Sequence, residues 1–323
     1  MKIIKENYKF IISLILIILI CSIRFPYYID APGGISDISK KIEIDGFKSE
    51  GSFNLAYVKE YRATIPTILI SLVNKDWKLI KTNEVMLDTE DYETYNLRDK
   101  ILMDESISNA IYVAYTKANK EINILSNNIL VTYIDSSADT DLVVGDKIIS
   151  INNKEVKNKE DITNIINSVD ITDKLNIKVI NNKKEYNRYA YAINKKIGIL
   201  ISNINEYKTN PNINIKVDKN ESGSSGGLIT ALSIYYSLTK KDLTNGLRVV
   251  GTGTIDLDGN IGSIGGVEYK LKSAVKKKAD LFIVPKDENY EEALKIKKEN
   301  NYDIEILGVS TFDEVVEYLS NKN

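Results

Sequence analysis

The sequence predicts an α+β protein of several domains that follow an N-terminal transmembrane helix. Three observations support this fold class. Residues 10–23 are uncharged and strongly apolar, residues 121–194 show a compact pattern of strands, one helix and a hairpin, and residues 195–323 alternate strands with helices. Alternation of the last kind, with short loops, is typical of a layered α/β or α+β domain. A chain of 323 residues is long enough for two domains and an anchor.

The composition excludes several classes of function. With 43 basic and 45 acidic side chains, the net charge of −2 gives no basic footprint for nucleic acid, so no nucleic-acid partner is expected. The one cysteine, Cys21, excludes an intramolecular disulfide and a cysteine-based metal site. The absence of histidine excludes Ser-His-Asp and Cys-His catalysis and disfavours catalytic zinc. We expect no metal and no cofactor, and a general base must be Asp, Glu, Lys, Tyr or a terminus.

The N-terminus has the pattern of a membrane anchor. Lys2, Lys5 and Lys9 precede the uncharged run 10–23, and aromatic residues follow it. Because no small-x-small cleavage site follows, we favour an uncleaved helix over the alternative, a cleaved signal peptide. Lysines on the leading side predict a cytoplasmic N-terminus. The expected location is therefore the cell membrane, with a single pass within residues 1–30 and an extracytoplasmic catalytic domain.

Residues 31–120 are assigned as an N-terminal extracytoplasmic segment that packs on the domains that follow. Their clearest feature is "DESISNAIYVAYTKAN" (104–119), in which apolar residues recur at i, i+3, i+4 and i+7. The residues in these positions are Ile107, Ala110, Ile111 and Ala114. Their spacing predicts a helix whose apolar face packs against a neighbouring domain.

Residues 121–194 resemble a PDZ domain. The resemblance rests on a strand at 127–134, the stretch "DSSADTDLVVGDKIISINNKEV", a helix at 158–169 and a hairpin closed by an Asn-Asn turn. It implies a small β-sandwich or barrel that captures an extended peptide as an added strand at a sheet edge. We expect this domain to recruit substrates or to gate the site. The stretch "SNNI" at 126–129 replaces the glycine-bearing loop that binds carboxylates in PDZ domains, so binding of free C-termini is not implied.

The stretch "NESGSSGGL" (220–228) carries the candidate nucleophile. It precedes an apolar helix, so Ser225 is expected at the mouth of that helix, where backbone N–H groups and the helix dipole favour negative charge. The surrounding glycines allow a tight turn and leave room for a substrate chain. A serine hydroxyl needs a base, and lysine is the natural one in a chain without histidine, provided that burial lowers its pKa.

Lys270 is the candidate base because its sequence context differs from that of the other lysines. It follows a Gly-Gly turn and begins a helix with apolar positions at Leu271, Ala274 and Val275. A lysine at the start of a packed helix can lie against apolar surface. The run 276–278, in contrast, has a solvated context.

Three blocks of the C-terminal part, in family order, resemble the proteolytic domain of the Lon family. Residues 223–227 (GSSGG) match the family's Gly-Pro-Ser-Ala-Gly motif, with Ser225 as the nucleophile and Ser224 in place of the proline. Gly223 and Gly226 are implied as accessory residues of this motif. The resemblance therefore implies a Lon-type α/β proteolytic domain at the C-terminus.

The second block, residues 251–289, supplies the base and its support, and the third block is "IEILGVSTFDEVVEYL" (304–319). Residues 265–270 (GGVEYK) match the family's Gly-Gly-x-x-x-Lys motif, which implies Lys270 as the base. Thr252 matches the threonine of a Thr-Gly pair, and the resemblance implies that it holds the lysine through its hydroxyl. Acidic residues that often accompany these motifs are absent, since Thr254 and Ser222 stand in their places.

Taken with the anchor and the PDZ-like pattern, these blocks resemble the bacterial membrane-anchored, PDZ-containing Lon-like proteases. The resemblance implies a membrane-anchored serine endopeptidase with a Ser225–Lys270 dyad. Independence from ATP is expected because the chain contains no Gly-x4-Gly-Lys-Ser/Thr phosphate loop. The implied substrates are unfolded or flexible polypeptides, extracytoplasmic or membrane-associated. The membrane and further copies of the same chain are the other partners considered.

Two other functions stay open at this level. The stretch "GSSGGL" (223–228) also resembles the phosphate-binding loop of GHMP small-molecule kinases, in which a glycine-rich turn holds ATP phosphates at a helix mouth. Alternatively, the chain is a non-catalytic, membrane-tethered PDZ scaffold with a decayed protease domain, since Ser224 replaces the proline of the motif. Labelling of Ser225 by a serine-reactive probe separates a protease from both alternatives.

Overall fold

Two six-stranded sheets organise the part of the chain that the computed structural model describes, namely residues 7–46, 53–170, 173–241, 243–286 and 288–322. The fold is mixed α/β. In chain order, the strands are β1 (Arg24–Asp37), β2 (Ile42–Ile44), β3 (Phe53–Thr64), β4 (Lys78–Lys81), β5 (Glu121–Ile134), β6 (Lys147–Ile151), β7 (Lys154–Glu155), β8 (Lys174–Asn181), β9 (Lys184–Tyr191), β10 (Ile199–Asn210), β11 (Ile213–Ile215), β12 (Val249–Gly251), β13 (Thr254–Ile255), β14 (Ile261–Gly262), β15 (Leu281–Pro285) and β16 (Glu305–Val309).

The helices lie between these strands and at both ends of the described chain. In chain order, they are α1 (Tyr8–Cys21), α2 (Ile65–Val73), α3 (Thr82–Val85), α4 (Tyr92–Lys117), α5 (Lys159–Asn167), α6 (Gly227–Thr239), α7 (Val267–Lys276), α8 (Glu288–Asn300) and α9 (Phe312–Asn321). A short 3₁₀ helix occupies Ile38–Lys41. The strands β2 and β11 pair with each other, as do β13 and β14.

The first sheet has the strand order β16-β15-β12-β3-β1-β4. The strands β3, β12, β15 and β16 run parallel, whereas β1 pairs antiparallel with both β3 and β4. Phe53 of β3 pairs with Val249 of β12, so N-terminal strands and C-terminal strands share one sheet. The sheet therefore contains strands from both the 31–120 segment and the 195–323 segment. The domain boundaries themselves stay predictions.

Helices cover both faces of the first sheet, because its central strands are apolar on both sides. Adjacent residues of one strand point to opposite faces. Val249 and Ile283 pack with α4, α6 and α9, while Val250 and Phe282 pack with α7 and α8. The helix that follows Ser225 and the helix that carries the candidate base therefore lie on opposite faces of the sheet.

The second sheet has the strand order β10-β5-β6-β8-β9, with β7 paired to β6. Its core packs around the apolar face of α5, which carries Ile162, Ile165 and Ile166. The strand, helix and hairpin predicted between 121 and 194 are present as β5, α5 and the β8–β9 pair. The PDZ assignment itself stays a prediction.

The strand β5 has neighbours on both sides at the predicted peptide groove. At Leu130 it pairs with Ser202 of β10 on one side and with Lys147 of β6 on the other. The outer edge of β10 is in turn covered by α4, since Asn203 N donates to Glu105 Oε1 at 2.9 Å. A peptide strand can be added to β5 at this point only if it displaces β10 or β6.

The helix α1 is too short to be the predicted transmembrane helix. Its 14 residues rise about 1.5 Å each, which gives about 21 Å, whereas the core of a bilayer is about 30 Å thick. The chain continues as β1 from Arg24, where pairing with β3 begins. Among the described residues, no helix has the length and apolarity needed to cross a membrane. The predicted transmembrane anchor, and with it the single-pass location with an extracytoplasmic catalytic domain, is therefore wrong. Residues 1–6, which begin the 1–30 segment predicted to hold the cytoplasmic tip and the anchor, lie outside the described residues.

The helix predicted at 104–119 is the C-terminal part of α4, which is 26 residues long. Asp91 caps its N-terminus by accepting a hydrogen bond from Thr94 N at 2.8 Å. Ala110 and Ala114 of the predicted apolar face are fully buried and pack with α6. The helix also contacts β5 and β10, so it connects the two sheets.

Candidate active site

Ser225 lies two residues before the start of α6, in the loop predicted to carry the nucleophile. The apolar run after the loop folds as α6, which is buried along almost its whole length. Gly223 has a φ of +88°, a conformation that favours glycine. A Cβ on Gly226 would lie 3.0 Å from a methyl group of Leu55, so this glycine lets the loop approach β3 closely.

The carboxyl end of β12 holds the nucleophile loop in place. The carbonyl of Ser225 accepts hydrogen bonds from Gly253 N at 2.8 Å and from Thr252 Oγ1 at 3.1 Å. Leu228 N, in the first turn of α6, donates to the carbonyl of Gly253 at 3.1 Å. The loop and the strand end are therefore joined by three hydrogen bonds at the edge where α/β sheets usually carry their ligand sites.

Lys270 reaches the same strand end from the opposite face of the sheet. The turn before α7 requires glycine, because Gly266 has a φ of +69° and a Cβ there would lie 2.6 Å from Val58 Cγ2. Lys270 is 4% exposed, and its Nζ donates to Thr252 Oγ1 at 3.1 Å. Thr252 is fully buried. Its hydroxyl accepts this hydrogen bond from the amine and donates one to the Ser225 carbonyl.

Burial lowers the pKa of Lys270 from 10.5 to about 8, because the ammonium loses hydration in an apolar setting. The neighbouring Lys272 shows the contrast. Burial alone would lower its pKa as well, but hydrogen bonds to Asp76 and Glu268 outweigh that effect and raise it. A large neutral fraction at mildly alkaline pH therefore distinguishes Lys270, and an uncharged amine is what a general base requires.

Residues 208–321 match the Lon protease (S16) C-terminal proteolytic domain. This Lon-matching segment contains Ser225, Thr252 and Lys270. The predicted resemblance of the C-terminal part to a Lon proteolytic domain is thereby confirmed. The matched family model describes a proteolytic domain.

Two Lon proteases are similar to part of the chain. The Lon protease of Campylobacter jejuni subsp. jejuni is 36% identical over 97 residues, which is 30% of this chain and 12% of that protein. Lon protease 2 of Bacillus subtilis (strain 168) is 37% identical over 95 residues, which is 29% of this chain and 16% of that protein. The similarity thus spans less than a fifth of the length of either relative.

The structure joins Thr252 directly to Lys270 and to the backbone of Ser225, whereas no hydrogen bond joins the two proposed dyad side chains in the part of the chain that it describes. Catalytic hydrogen bonds are often long without substrate and tighten when it binds. Gly223 lies at the other end of the loop, where its N–H donates to the Asp99 carbonyl at 3.0 Å. The catalytic and accessory roles of these residues stay a proposal.

Sequence reasoning missed the contribution of α4, which precedes the Lon-matching segment. Ser106 Oγ donates to the carbonyl of Ser224 at 2.7 Å, and Ser106 is 5% exposed. The one signal in the sequence is its spacing, because Ser106 lies four residues before Ala110 on the buried side of the helix. A polar residue in that position implies a partner, but the sequence does not identify the partner.

Proposed function

We propose that this chain is a serine endopeptidase that cleaves unfolded or flexible polypeptides without ATP. In this proposal Ser225 is the nucleophile and Lys270 is the general base. The main observation behind it is the buried Lys270 amine, which donates a hydrogen bond to the Thr252 hydroxyl. That hydroxyl in turn donates to the Ser225 carbonyl, and all three residues lie in the Lon-matching segment. Burial also gives this amine the lowered pKa that a base needs near neutral pH.

The reaction begins when the lone pair of neutral Lys270 Nζ takes the proton of Ser225 Oγ. The oxygen forms a bond to the peptide carbonyl carbon, and the C–N bond then breaks while Lys270 returns the proton to the leaving amine. Water, deprotonated by Lys270, hydrolyses the acyl-enzyme in the same way. Thr252 holds the amine in place between these steps, because its hydroxyl accepts the hydrogen bond from Nζ.

Backbone N–H groups at the start of α6 stabilise the oxyanion. Within the described chain, neither the N–H of Ser225 nor that of Gly226 donates a hydrogen bond. Gly226 is the N-cap residue of α6 and Ser225 directly precedes it, so both N–H groups lie at the end of the helix where the dipole favours negative charge. They are therefore the donors that we assign to the tetrahedral intermediate.

The proposed reaction uses no ATP, and it does not require the substrate to pair as an added strand with β5. The chain carries no Gly-x4-Gly-Lys-Ser/Thr loop, so it is proposed to cleave chains that are already loose. Recruitment of a peptide to β5 is not part of the proposal, since β10 and β6 already pair with that strand. Assembly into homo-oligomers stays a prediction from the family resemblance.

The proposed base predicts the pH dependence of cleavage. Because Lys270 must be neutral and its pKa is lowered to about 8, kcat/KM on a flexible peptide is expected to rise about tenfold per pH unit below pH 8 and to level off above it. The measurement is kcat/KM between about pH 6 and pH 10, with the fold checked by circular dichroism at each pH. A profile without a rise near pH 8 contradicts Lys270 as the base.

The proposed nucleophile predicts a site of covalent modification. A fluorophosphonate probe is expected to label Ser225 alone, because an activated serine attacks phosphorus and an ordinary serine does not. Mass spectrometry of the digested protein locates the adduct, and cleavage of unfolded casein without ATP is measured on the same sample. Ser225→Ala is the negative control, and Ser224→Ala is the matched one, expected to keep the adduct.

Each alternative function predicts a different outcome for that experiment. A small-molecule kinase binds ATP and carries no adduct on Ser225. A decayed, non-catalytic scaffold carries no adduct and leaves casein intact. Either result refutes the proposed function.

A further inference from the structure

The helix α4 supports the nucleophile loop at two points, although it lies outside the Lon-matching segment. Gly223 N donates to the carbonyl of Asp99 at 3.0 Å. Two turns later on α4, Ser106 Oγ donates to the carbonyl of Ser224 at 2.7 Å. The loop is thus fixed to this helix immediately before Ser225.

The second contact controls the direction of an N–H group. The carbonyl of Ser224 and the N–H of Ser225 belong to one trans, planar peptide group, so they point in opposite directions. When Ser106 holds the carbonyl, the N–H of Ser225 is held pointing away from α4. This N–H is one of the two free donors assigned above to the oxyanion.

The contact is both buried and close. Ser106 is 5% exposed, so water has little access to replace its hydroxyl. Behind the loop, a Cβ on Gly227 would lie only 2.6 Å from Ser106 Oγ and 2.7 Å from a methyl group of Ile255. Gly227 therefore has to be glycine for α6 to begin against Ser106, and the hydroxyl has little freedom to move.

We propose that Ser106 is a positioning residue that aims the N–H of Ser225 at the oxyanion of the reaction. The proposal rests on the proposed peptidase function and extends it to a residue that precedes the matched domain. It acts through the backbone of Ser225 and touches no reacting atom. Loss of the Ser106 hydroxyl therefore weakens binding of the transition state while binding of the substrate stays the same.

The test compares two serines of the same helix in the 323-residue chain. Ser106→Ala is expected to lower kcat by about tenfold to a hundredfold with KM unchanged, since loss of an oxyanion donor costs about a hundredfold or more and misdirection of one costs less. The Ki of a peptide boronate, which forms a tetrahedral adduct with serine, is expected to rise by a similar factor. Ser108→Ala is the matched control.

Ser108 is as deeply buried as Ser106, but it makes no hydrogen bond to the nucleophile loop in the described structure. It is 4% exposed, and its hydroxyl bonds to Asn205 of β10, accepting from N at 3.1 Å and donating to O at 3.0 Å. Ser108→Ala is expected to change stability comparably and to leave kcat and the boronate Ki unchanged. Thermal unfolding of both variants checks the first expectation. If Ser106→Ala does not fold, Ser106→Cys keeps a slightly larger side chain of the same shape, weakens the donor and gives the same comparison.

Three outcomes overturn the proposal. If the unaltered chain neither cleaves casein nor carries the Ser225 adduct, the proposed function fails and this inference fails with it. If the unaltered chain is active and Ser106→Ala has the same kcat and boronate Ki as Ser108→Ala, only the role of Ser106 is refuted. A rise in KM with unchanged kcat refutes it as well, because that pattern indicates lost substrate binding.

Discussion

Replacing Lys270 with methionine is expected to lower kcat/KM on an unfolded polypeptide by about ten-thousandfold or more, and to make the protein more stable at the same time. The loss of rate follows because methionine fills the same space but cannot take the proton of Ser225. Members of a nucleophile–base pair act as a unit, so loss of either one removes most of the acceleration. The assay is cleavage of casein at about pH 8.5, above the pKa of the buried amine.

The gain in stability follows from the pKa of the same amine. The folded pKa is about 8 and the unfolded value is 10.5, so the unfolded chain binds more protons between these two values and stability rises with pH across that window. Below about pH 8 Lys270 is charged in the folded state, and burial of that charge lowers the free energy of unfolding by about 3 kcal/mol, at 1.36 kcal/mol per pH unit. Because methionine is never charged, Lys270→Met is expected to be more stable by a few kcal/mol at pH 7. Urea unfolding at pH 7 and at pH 10.5 is expected to show this difference shrinking at the higher pH.

Lys272→Met is the matched control for both effects. Lys272 lies on the same helix and contacts Asp76 at 2.7 Å and Glu268 at 2.9 Å, with 18% of its side chain exposed. Its loss removes two ion pairs, so a small decrease in stability, about 1 kcal/mol, and unchanged cleavage are expected. Wild-type activity in Lys270→Met, or the same loss in Lys272→Met, contradicts the assignment of the base.

The candidate dyad was accessible from the sequence because its signals are local. The glycines before α6 and the Gly-Gly turn before α7 each specify a backbone shape within a few residues. Ser225 and Lys270 are defined by their positions relative to those turns. The structure adds that Thr252 touches both segments, and the sequence pointed to this residue only through a family motif.

The contacts that hold the nucleophile loop and β12 could not be predicted from the sequence, because they join residues that are far apart in the chain. Ser106 is 118 residues from its partner Ser224. The strand β3 reaches β12 across 195 residues, as the hydrogen bond from Asn54 Nδ2 to the Val249 carbonyl shows. Periodicity predicts which face of an element is apolar, but it does not predict which distant element covers that face.

The N-terminal helix was predicted to be a transmembrane anchor, and the helix in the structure is too short to be one. The uncharged run 10–23, with the aromatic residues that follow it, predicts one membrane-spanning segment within residues 1–30. The structure ends α1 at Cys21 and starts β1 at Arg24. The competing influence is strand pairing, since Tyr27 and Tyr28 pair with β4, and a local window of hydrophobicity contains no information about that partner.

A fragment of residues 195–323, the predicted proteolytic domain, is expected not to fold by itself. In the full chain, β12 lies between β15 and β3, and the fragment lacks β3, β1 and α4. Phe53 and Ala56 of β3 are 1% and 0% exposed and fill both faces of the sheet next to β12. Tyr115 of α4 is also fully buried in the core that contains α6.

The expected loss of stability is comparable to the whole stability of an ordinary domain. Each large apolar side chain contributes about 1.5–3 kcal/mol when buried, and several are removed together, whereas a whole domain is stable by about 5–15 kcal/mol. Circular dichroism and thermal unfolding of the fragment are expected to show no cooperative transition. The control is residues 24–323, which lacks only α1 and the residues before β1 and retains both sheets, and it is expected to unfold cooperatively. A 195–323 fragment that melts cooperatively within a few degrees of this control would contradict the prediction, because the C-terminal strands would then form their core without β3.

A single substitution in β3 tests the same packing with a smaller expected effect. Phe53→Ala in the 323-residue chain is expected to lower the free energy of unfolding by about 3–5 kcal/mol and to lower activity only through unfolding.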